Sequence, residues 1–236
     1  MPNTDPKVIV ALDFSTAEQT LKFVESVTPE ICRLKIGKEL FTSSGPDLVK
    51  QLVDMGFDIF LDLKFHDIPN TVNKAVAAAC QLGVWMLNVH AFGGRAMMQA
   101  AKEAVDSSNA LKTPKLIAVS VLTSTNQDGL HELGINKTVQ QTVMALTKMS
   151  LECGLDGMVC SANEAETIRQ QFGSSPILVT PGIRPAGSAF NDQQRIMTPE
   201  MAIKSGSSYL VIGRPITQHA QPLDELQRIN ASLEKL

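Results

Sequence analysis

Short apolar runs rich in β-branched residues recur eight times along the chain, and a helix-like segment follows each one. The runs are KVIVALD, CRLKIG, DIFLDLK, WMLNVHA, KLIAVSVLT, DGMVCSA, PILVTPGI and SYLVIGR. Segments between them, such as STAEQTLKFVESV and PDLVKQLVDMG, place apolar residues three and four apart, as amphipathic helices do. Eight alternations of strand and helix favour parallel βαβ units closed into a (β/α)8 TIM barrel. An open, doubly wound sheet is the structural alternative.

Length and composition agree with one barrel domain spanning residues 1–236. A barrel of roughly 250 residues commonly forms a single unit, and this chain has 236. Its 44% hydrophobic and 19% charged residues exclude a disordered or fibrous chain. No linker or low-complexity tract indicates a second domain.

The net charge of −3 offers no basic field for nucleic acid or an anionic membrane. No apolar run is long enough to predict a membrane span, and the N-terminus lacks the layout of a signal peptide. Cys32, Cys80, Cys153 and Cys160 form no CxxC pair, so we interpret them as small core residues in a reducing compartment. We therefore expect a cytoplasmic protein in which local cations hold any anionic ligand.

Polar residues collect at the carboxyl ends of the predicted strands. They are Asp13 after strand one, Lys35 in strand two, Asp62 and Lys64 at the end of strand three, Thr123 after strand five, Arg184 after strand seven, and Gly213 with Arg214 after strand eight. Barrel enzymes build their sites at this face. This convergence is the main evidence from the residues themselves for an enzyme.

The segment DLKFHDIPNT, residues 62–71, puts charges where a core strand ends. Asp62 and Lys64 are two apart, so on a strand both side chains point the same way, into the barrel mouth. Carboxylate neighbours would favour the charged form of the lysine. A permanently charged lysine is a poor Schiff-base nucleophile, but it can stabilise a carbanion and then protonate it.

Two Gly-Arg turns, in TPGIRP and VIGRP, follow strands seven and eight. Glycine lets backbone N–H groups approach an oxyanion, and arginine adds a bidentate cation at the usual phosphate position of such barrels. The turns therefore predict a phosphate monoester as the ligand.

Each of these residues has a structural alternative. Asp67 could cap a helix, Asp62 and Lys64 could form a structural ion pair, and Arg184 or Arg214 could be a surface cation. Their joint position at the strand ends favours the functional interpretation.

Two histidines, His66 and His90, are interpreted as hydrogen-bonded structural residues. No carboxylates stand near them at ligand spacing, so the sequence predicts no metal site.

The segment DLKFHDIPNT resembles the signature of the orotidine 5′-phosphate decarboxylase family. Supporting motifs occur in family order over nearly the whole chain: ALD at Asp13, LKIG at Lys35, VLTS at Thr123, TPGIRP at Arg184, DQQRIMTP around Gln193 and VIGRP at Arg214. The resemblance is to the shorter, bacterial, single-function form. It implies decarboxylation of orotidine 5′-phosphate to UMP and CO2, the last step of de novo pyrimidine nucleotide synthesis, without a metal or other cofactor.

The resemblance also implies roles for individual residues. Lys35, Asp62, Lys64 and Asp67 would form the charged network, with Lys64 as the proton donor to C6 of the pyrimidine. The family completes its site across a homodimer. The remaining implied roles are Asp67, Ile68 and Thr71 in the neighbouring subunit's site, Asp13 and Lys35 at the ribose hydroxyls, Thr123 at the pyrimidine, Gly213 and Arg214 at the phosphate, and Arg184 and Gln193 on a closing loop.

Two other functions remain open at this point. One is a sugar-phosphate aldolase or epimerase on a related barrel, such as hexulose-phosphate synthase, which needs a metal. The other is a non-catalytic nucleotide-binding protein. The complete set of two lysines and two aspartates argues against the second, because binding alone does not need carboxylates beside an anionic substrate.

Overall fold

The computed structural model of the protein describes residues 5–185 and 197–236, and these residues form a closed parallel barrel. Each strand pairs with the next in sequence, and the first pairs with the last. The strands are β1 (Val8–Ala11), β2 (Arg33–Gly37), β3 (Ile59–Phe65), β4 (Met86–His90), β5 (Lys115–Val119), β6 (Gly157–Val159), β7 (Ile177–Thr180) and β8 (Tyr209–Ile212). The predicted (β/α)8 barrel is confirmed, and the open-sheet alternative is wrong.

Helices connect the strands and cover the outside of the barrel. Within the described ranges they are α1 (Ala17–Val24), α2 (Lys38–Asp54), α3 (Pro69–Cys80), α4 (Gly94–Asp106), α5 (Gln127–Glu132), α6 (Val139–Glu152), α7 (Ala162–Phe172), α8 (Pro199–Lys204), α9 (Arg214–Thr217) and α10 (Pro222–Leu233). A 3-10 turn, Ala91–Gly93, precedes α4. Gly45 interrupts α2 with a φ of 69°, and Pro46 starts its second half.

Several helices begin where the sequence supplies a cap. Thr138 and Gln141 form a capping box at the start of α6, and at the start of α7 the side chain of Glu164 accepts the backbone N–H of Ser161 at 2.9 Å. These bonds satisfy backbone N–H groups that the first helical turn leaves unpaired.

The strands are buried on both faces, which explains their continuous apolar runs. One set of side chains fills the barrel itself: Ile9, Ala11, Phe60, Trp85, Met86, Ile117, Val179 and Val211. A larger cluster packs between the strands and the helices. Successive strand residues point to opposite faces, so each strand contributes to both layers.

A buried arginine closes the amino-terminal end of the barrel. Arg33 is 6% exposed, and its guanidinium carbon lies 4.2 Å from the ring centroid of Trp85 and 4.9 Å from that of Tyr209. Its nitrogens pair with the carboxylates of Asp5 at 2.9 Å and Asp58 at 3.1 Å. The buried charge is therefore both paired and stacked, as its removal from water requires.

Candidate active site

A cavity of about 190 Å³ opens at the carboxyl ends of the strands. Its lining comprises Lys35, Phe60, Asp62, Lys64, Val119, Val121, Leu122, Thr123, Val159, Cys160, Pro181 and Val211. Apolar walls with a few convergent polar groups are typical of a small-molecule site.

The charged side chains in the barrel mouth alternate in sign. Lys64 Nζ lies 2.7 Å from Asp62 Oδ1, and Lys35 Nζ lies 3.6 Å from Asp62 Oδ2. Lys35 Nζ also lies 3.4 Å from Asp13 Oδ1. The structure thus brings Asp13, Lys35, Asp62 and Lys64 into one connected group at the place that the sequence predicts.

Asp62 is the centre of this group, and its side chain is only 13% exposed. Burial is the largest single influence and raises the pKa of its carboxyl. The charges of Lys35 and Lys64, together with hydrogen bonds from Lys64 and Asn88, outweigh burial, so the pKa lies below its ordinary value. Asp62 is therefore a carboxylate that holds two ammonium groups in fixed positions.

The backbone of β3 is irregular at Lys64. Leu61 pairs with Leu87 of β4, yet the next pair is Phe65 with Val89, so β3 advances four residues while β4 advances two. Lys64 has a φ of 52°, the one positive value at a non-glycine residue in the described ranges. Such a conformation costs on the order of 1 kcal/mol. The strand alternation used in the sequence analysis is thus interrupted at the residue that carries the central cation.

Asn88 of β4 fits into this irregularity, and sequence reasoning missed it. Its side chain accepts the backbone N–H of Lys64 at 2.7 Å and donates to Asp62 Oδ1 at 2.7 Å. Asn88 is completely buried. The one signal in the sequence was an amide within the apolar run MLNVH.

Asp67, Ile68 and Thr71 lie at the start of α3 and are exposed. Asp67 Oδ1 accepts the N–H of Ile68 at 2.7 Å, a local bond at the helix start. Among the described residues, Asp67 forms no ion pair with Lys35 or Lys64 of its own chain. Within one chain, the structure therefore does not join Asp67 to the other charged residues.

Gly213 and Arg214 lie beside the charged group. A Cβ at Gly213 would come within 3.4 Å of Asp13 Oδ2, so this backbone closely approaches the mouth. Arg214 is the first residue of α9 and is partly buried. Thr123 is also partly buried and lines the cavity.

Arg184 follows β7 and is 7% exposed, so the alternative of a surface cation is wrong for it. Its Nη1 donates to the carbonyl of Ile183 at 3.0 Å, and its backbone N–H donates to the carbonyl of Met197 at 3.1 Å. Gln193, the other residue assigned to the closing loop, lies outside the described residues.

The rings of His66 and His90 stack at 5.4 Å beside the site. Burial, with the charges of His66, Lys38 and Lys64, lowers the pKa of His90 to about 4. His90 Nδ1 accepts the N–H of Phe92 at 3.4 Å, as expected for a structural histidine. In residues 5–185 and 197–236, no group of three His, Cys, Asp or Glu side chains could hold a metal ion.

The four cysteines are free and buried, which confirms that they are core residues. Cys160 lines the cavity, and burial raises the pKa of its thiol. Its thiol is therefore a neutral part of the wall rather than a nucleophile.

A (β/α)8 barrel with a connected charged group at the carboxyl ends of its strands defines a barrel enzyme of small-molecule metabolism. The family model described as "Orotidine 5'-phosphate decarboxylase / HUMPS family" matches residues 6–229, and the chain belongs to this family.

Similar proteins that carry the name orotidine 5′-phosphate decarboxylase match this chain over almost its full length. The orotidine 5′-phosphate decarboxylase of Pseudoalteromonas translucida is 55% identical over 228 residues, covering 97% of each chain. That of Salmonella typhimurium is 53% identical over 232 residues, covering 98% of this chain and 94% of the relative. The crystal structure of the Lactobacillus acidophilus enzyme superposes with a TM-score of 0.88 at 39% identity, covering 97% of this chain and 99% of that one. In the part of the chain that the structure describes, no helix is long and apolar enough to cross a membrane.

Proposed function

We propose that this chain decarboxylates orotidine 5′-phosphate to UMP and CO2, with Lys64 stabilising and protonating C6 of the pyrimidine. The observation that carries the proposal is the Lys35–Asp62–Lys64 group inside a cavity with largely apolar walls. Fixed cations in such a site stabilise a developing negative charge more strongly than water does.

The chemical step needs only one proton and one cation. The bond from C6 to the carboxylate breaks, CO2 leaves, and the electron pair stays on C6. The Lys64 ammonium stabilises this carbanion and then donates a proton to C6, which gives UMP and a neutral amine. Water restores the proton to Lys64, so the balance requires no redox or group-transfer partner.

Asp62 prepares Lys64 for this step. Its carboxylate lies between the two ammonium groups, 2.7 Å from Lys64 Nζ and 3.6 Å from Lys35 Nζ. Without this carboxylate, the two lysine side chains would be free to change rotamer, and fixing them during the reaction would cost conformational entropy. The carboxylate makes this arrangement before substrate enters, which is the condition for electrostatic preorganisation.

The other predicted residues would bind parts of the substrate away from C6. Asp13 and Lys35 would hold the ribose hydroxyls, and Thr123 would contact the pyrimidine. The backbone of Gly213 and the side chain of Arg214 would bind the phosphate. Arg184 and Gln193 would act from the loop after β7. Binding energy from these remote groups would hold the reacting ring against Lys64.

We also assign a homodimer in which Asp67, Ile68 and Thr71 complete the partner's site. The exposure of these residues, which follow directly after β3, with Ile68 66% exposed, supports this assignment. The buried, reduced cysteines fit a reducing compartment, and we place the reaction in the cytoplasm.

Complementation tests the shared site. Lys64→Ala and Asp67→Ala should each be inactive alone, and a heterodimer of the two should contain one intact site. Random exchange of equal amounts should therefore restore about a quarter of wild-type activity. If mass spectrometry shows mixed dimers and activity stays absent, the cross-subunit assignment is wrong.

The central experiment follows the ultraviolet absorbance of orotidine 5′-phosphate mixed with the protein in excess chelator. We expect UMP to form with the wild type and not with Lys64→Ala, although this variant should still bind UMP. Lys148→Ala is the matched control, because this lysine is 65% exposed and, among the residues that the structure describes, pairs with surface Glu152 alone. It should react like the wild type. Activity on sugar phosphates that needs magnesium, without UMP formation, would instead favour the aldolase class.

A further inference from the structure

The register change between β3 and β4 leaves a gap in the backbone hydrogen bonding, and one side chain fills it. Between the pairs Leu61–Leu87 and Phe65–Val89, Lys64 has no paired residue on β4. Asn88 Oδ1 accepts the backbone N–H of Lys64 at 2.7 Å. A side chain thus replaces the β4 backbone as acceptor, and it does so at the residue with positive φ.

The same amide also acts on the carboxylate beside Lys64. Asn88 Nδ2 donates to Asp62 Oδ1, the oxygen that accepts from Lys64 Nζ at 2.7 Å. One buried amide therefore fixes the Lys64 backbone through its oxygen and the Asp62 carboxylate through its nitrogen. Lys64 is thereby fixed at both ends, because its backbone N–H bonds to Asn88 and its Nζ pairs with Asp62.

We propose that Asn88 is a positioning residue for the decarboxylation, which keeps Lys64 in its left-handed backbone conformation and aims its ammonium into the cavity. The inference rests on the proposed function of Lys64. A structural role alone would not require both bonds. A buried apolar residue of similar shape would pack in the barrel, and it would leave the Lys64 N–H free to seek another partner.

The test compares Asn88→Ala with Asn88→Asp. Alanine removes both bonds, whereas aspartate keeps the acceptor for the Lys64 N–H and replaces the donor to Asp62 with a carboxylate oxygen that repels it. For Asn88→Ala we expect kcat to fall at least about 100-fold, because a misplaced catalytic group costs a factor of this size. The Kd for UMP, which also counts folded sites, should stay within about threefold because the phosphate and ribose contacts remain.

Ser207→Ala is the control for general loss of buried polar contacts. Ser207 is 6% exposed and bonds Thr180 Oγ1 at 2.7 Å, away from the charged group. The Ser207→Ala substitution should lower the melting temperature and leave kcat per folded site unchanged. If Asn88→Ala does not fold, the near-isosteric Asn88→Asp still tests whether Asn88 positions Lys64. For this variant we expect kcat to fall at least about tenfold.

Crystal structures of the variants give a readout that does not depend on turnover. In Asn88→Ala, the φ of Lys64 should become negative and its Nζ should move away from Asp62. In Asn88→Asp, the φ should remain positive. An unchanged Lys64 in Asn88→Ala, or a wild-type kcat in either variant, would overturn the proposal. If the wild type forms no UMP, the proposed function fails, and the Lys64 conformation in these crystals still tests Asn88.

Discussion

Replacement of Arg33 by alanine should destabilise the barrel far more than the loss of an ordinary surface ion pair. Arg33 is 6% exposed and stacks on Trp85, while Asp5 and Asp58 pair with its guanidinium. A desolvated cation–π contact contributes up to about 2 kcal/mol, and a hydrogen bond to a charged group about 1.5–3 kcal/mol.

The full sum overestimates the effect, because the side chain of Asp5 is 51% exposed and returns to water at little cost. We therefore expect Arg33→Ala to lower the free energy of unfolding by about 3 kcal/mol. For a chain of this length, that corresponds to a decrease of about 6–12 °C in the melting temperature.

The assay uses urea or thermal unfolding followed by tryptophan fluorescence. Trp85 is the chain's only tryptophan and contacts Arg33 directly, so its emission reports on this end of the barrel. Wild type and variants are compared at equal protein concentration, since any association stabilises the folded state. The specific activity of folded Arg33→Ala should remain normal, because the active-site cavity lies at the opposite end.

Arg95→Ala is the matched control. Arg95 also pairs with a carboxylate, Glu152, at 2.6 Å, but the two side chains are 50% and 44% exposed. Loss of this pair should cost less than about 1 kcal/mol. Equal destabilisation by the two substitutions would refute the argument that burial and stacking make Arg33 important.

Three further outcomes are expected. Arg214→Ala should raise the KM for orotidine 5′-phosphate about 13- to 160-fold, which is the equivalent of losing a hydrogen bond to a charged group worth about 1.5–3 kcal/mol. The same variant should hardly change turnover of orotidine, which lacks the phosphate, and equal losses on both substrates would contradict phosphate binding. Gly157→Ala should lose about 3 kcal/mol of stability in urea unfolding because a Cβ there would overlap the carbonyl oxygen of Ile177, whereas Gly129→Ala should change little. The pKa of His90 is lowered from 6.5 to about 4, so the unfolded chain binds this proton first as the pH falls. Full linkage would correspond to about 3 kcal/mol, but the ring is only partly buried and solvent screens it, so we expect stability to fall by about 1 kcal/mol across this window. His90→Gln should show a shallower decline, and an identical slope would remove His90 as the cause.

The position of the candidate site followed from local sequence patterns. Eight apolar runs separated by amphipathic segments are local features, and parallel strands place all their carboxyl ends at one face. That geometry is sufficient to predict that Lys35 and Asp62 meet. Asn88, which lies 26 residues beyond Asp62, was not recognised as a partner of the Asp62 carboxylate. The residue roles came from the resemblance to the family.

By itself, the sequence determined the alternation of strands and helices, the face of the barrel that carries the charges and the burial of the cysteines. These features depend on periodicity and on side-chain chemistry, which can be read along the chain. Only the tertiary structure decided the left-handed backbone of Lys64, the two bonds of Asn88 and the stacking of Arg33 on Trp85. Each of these depends on strand register or on contacts between different strands, and an offset of one residue in register would turn a buried amide away from its partners.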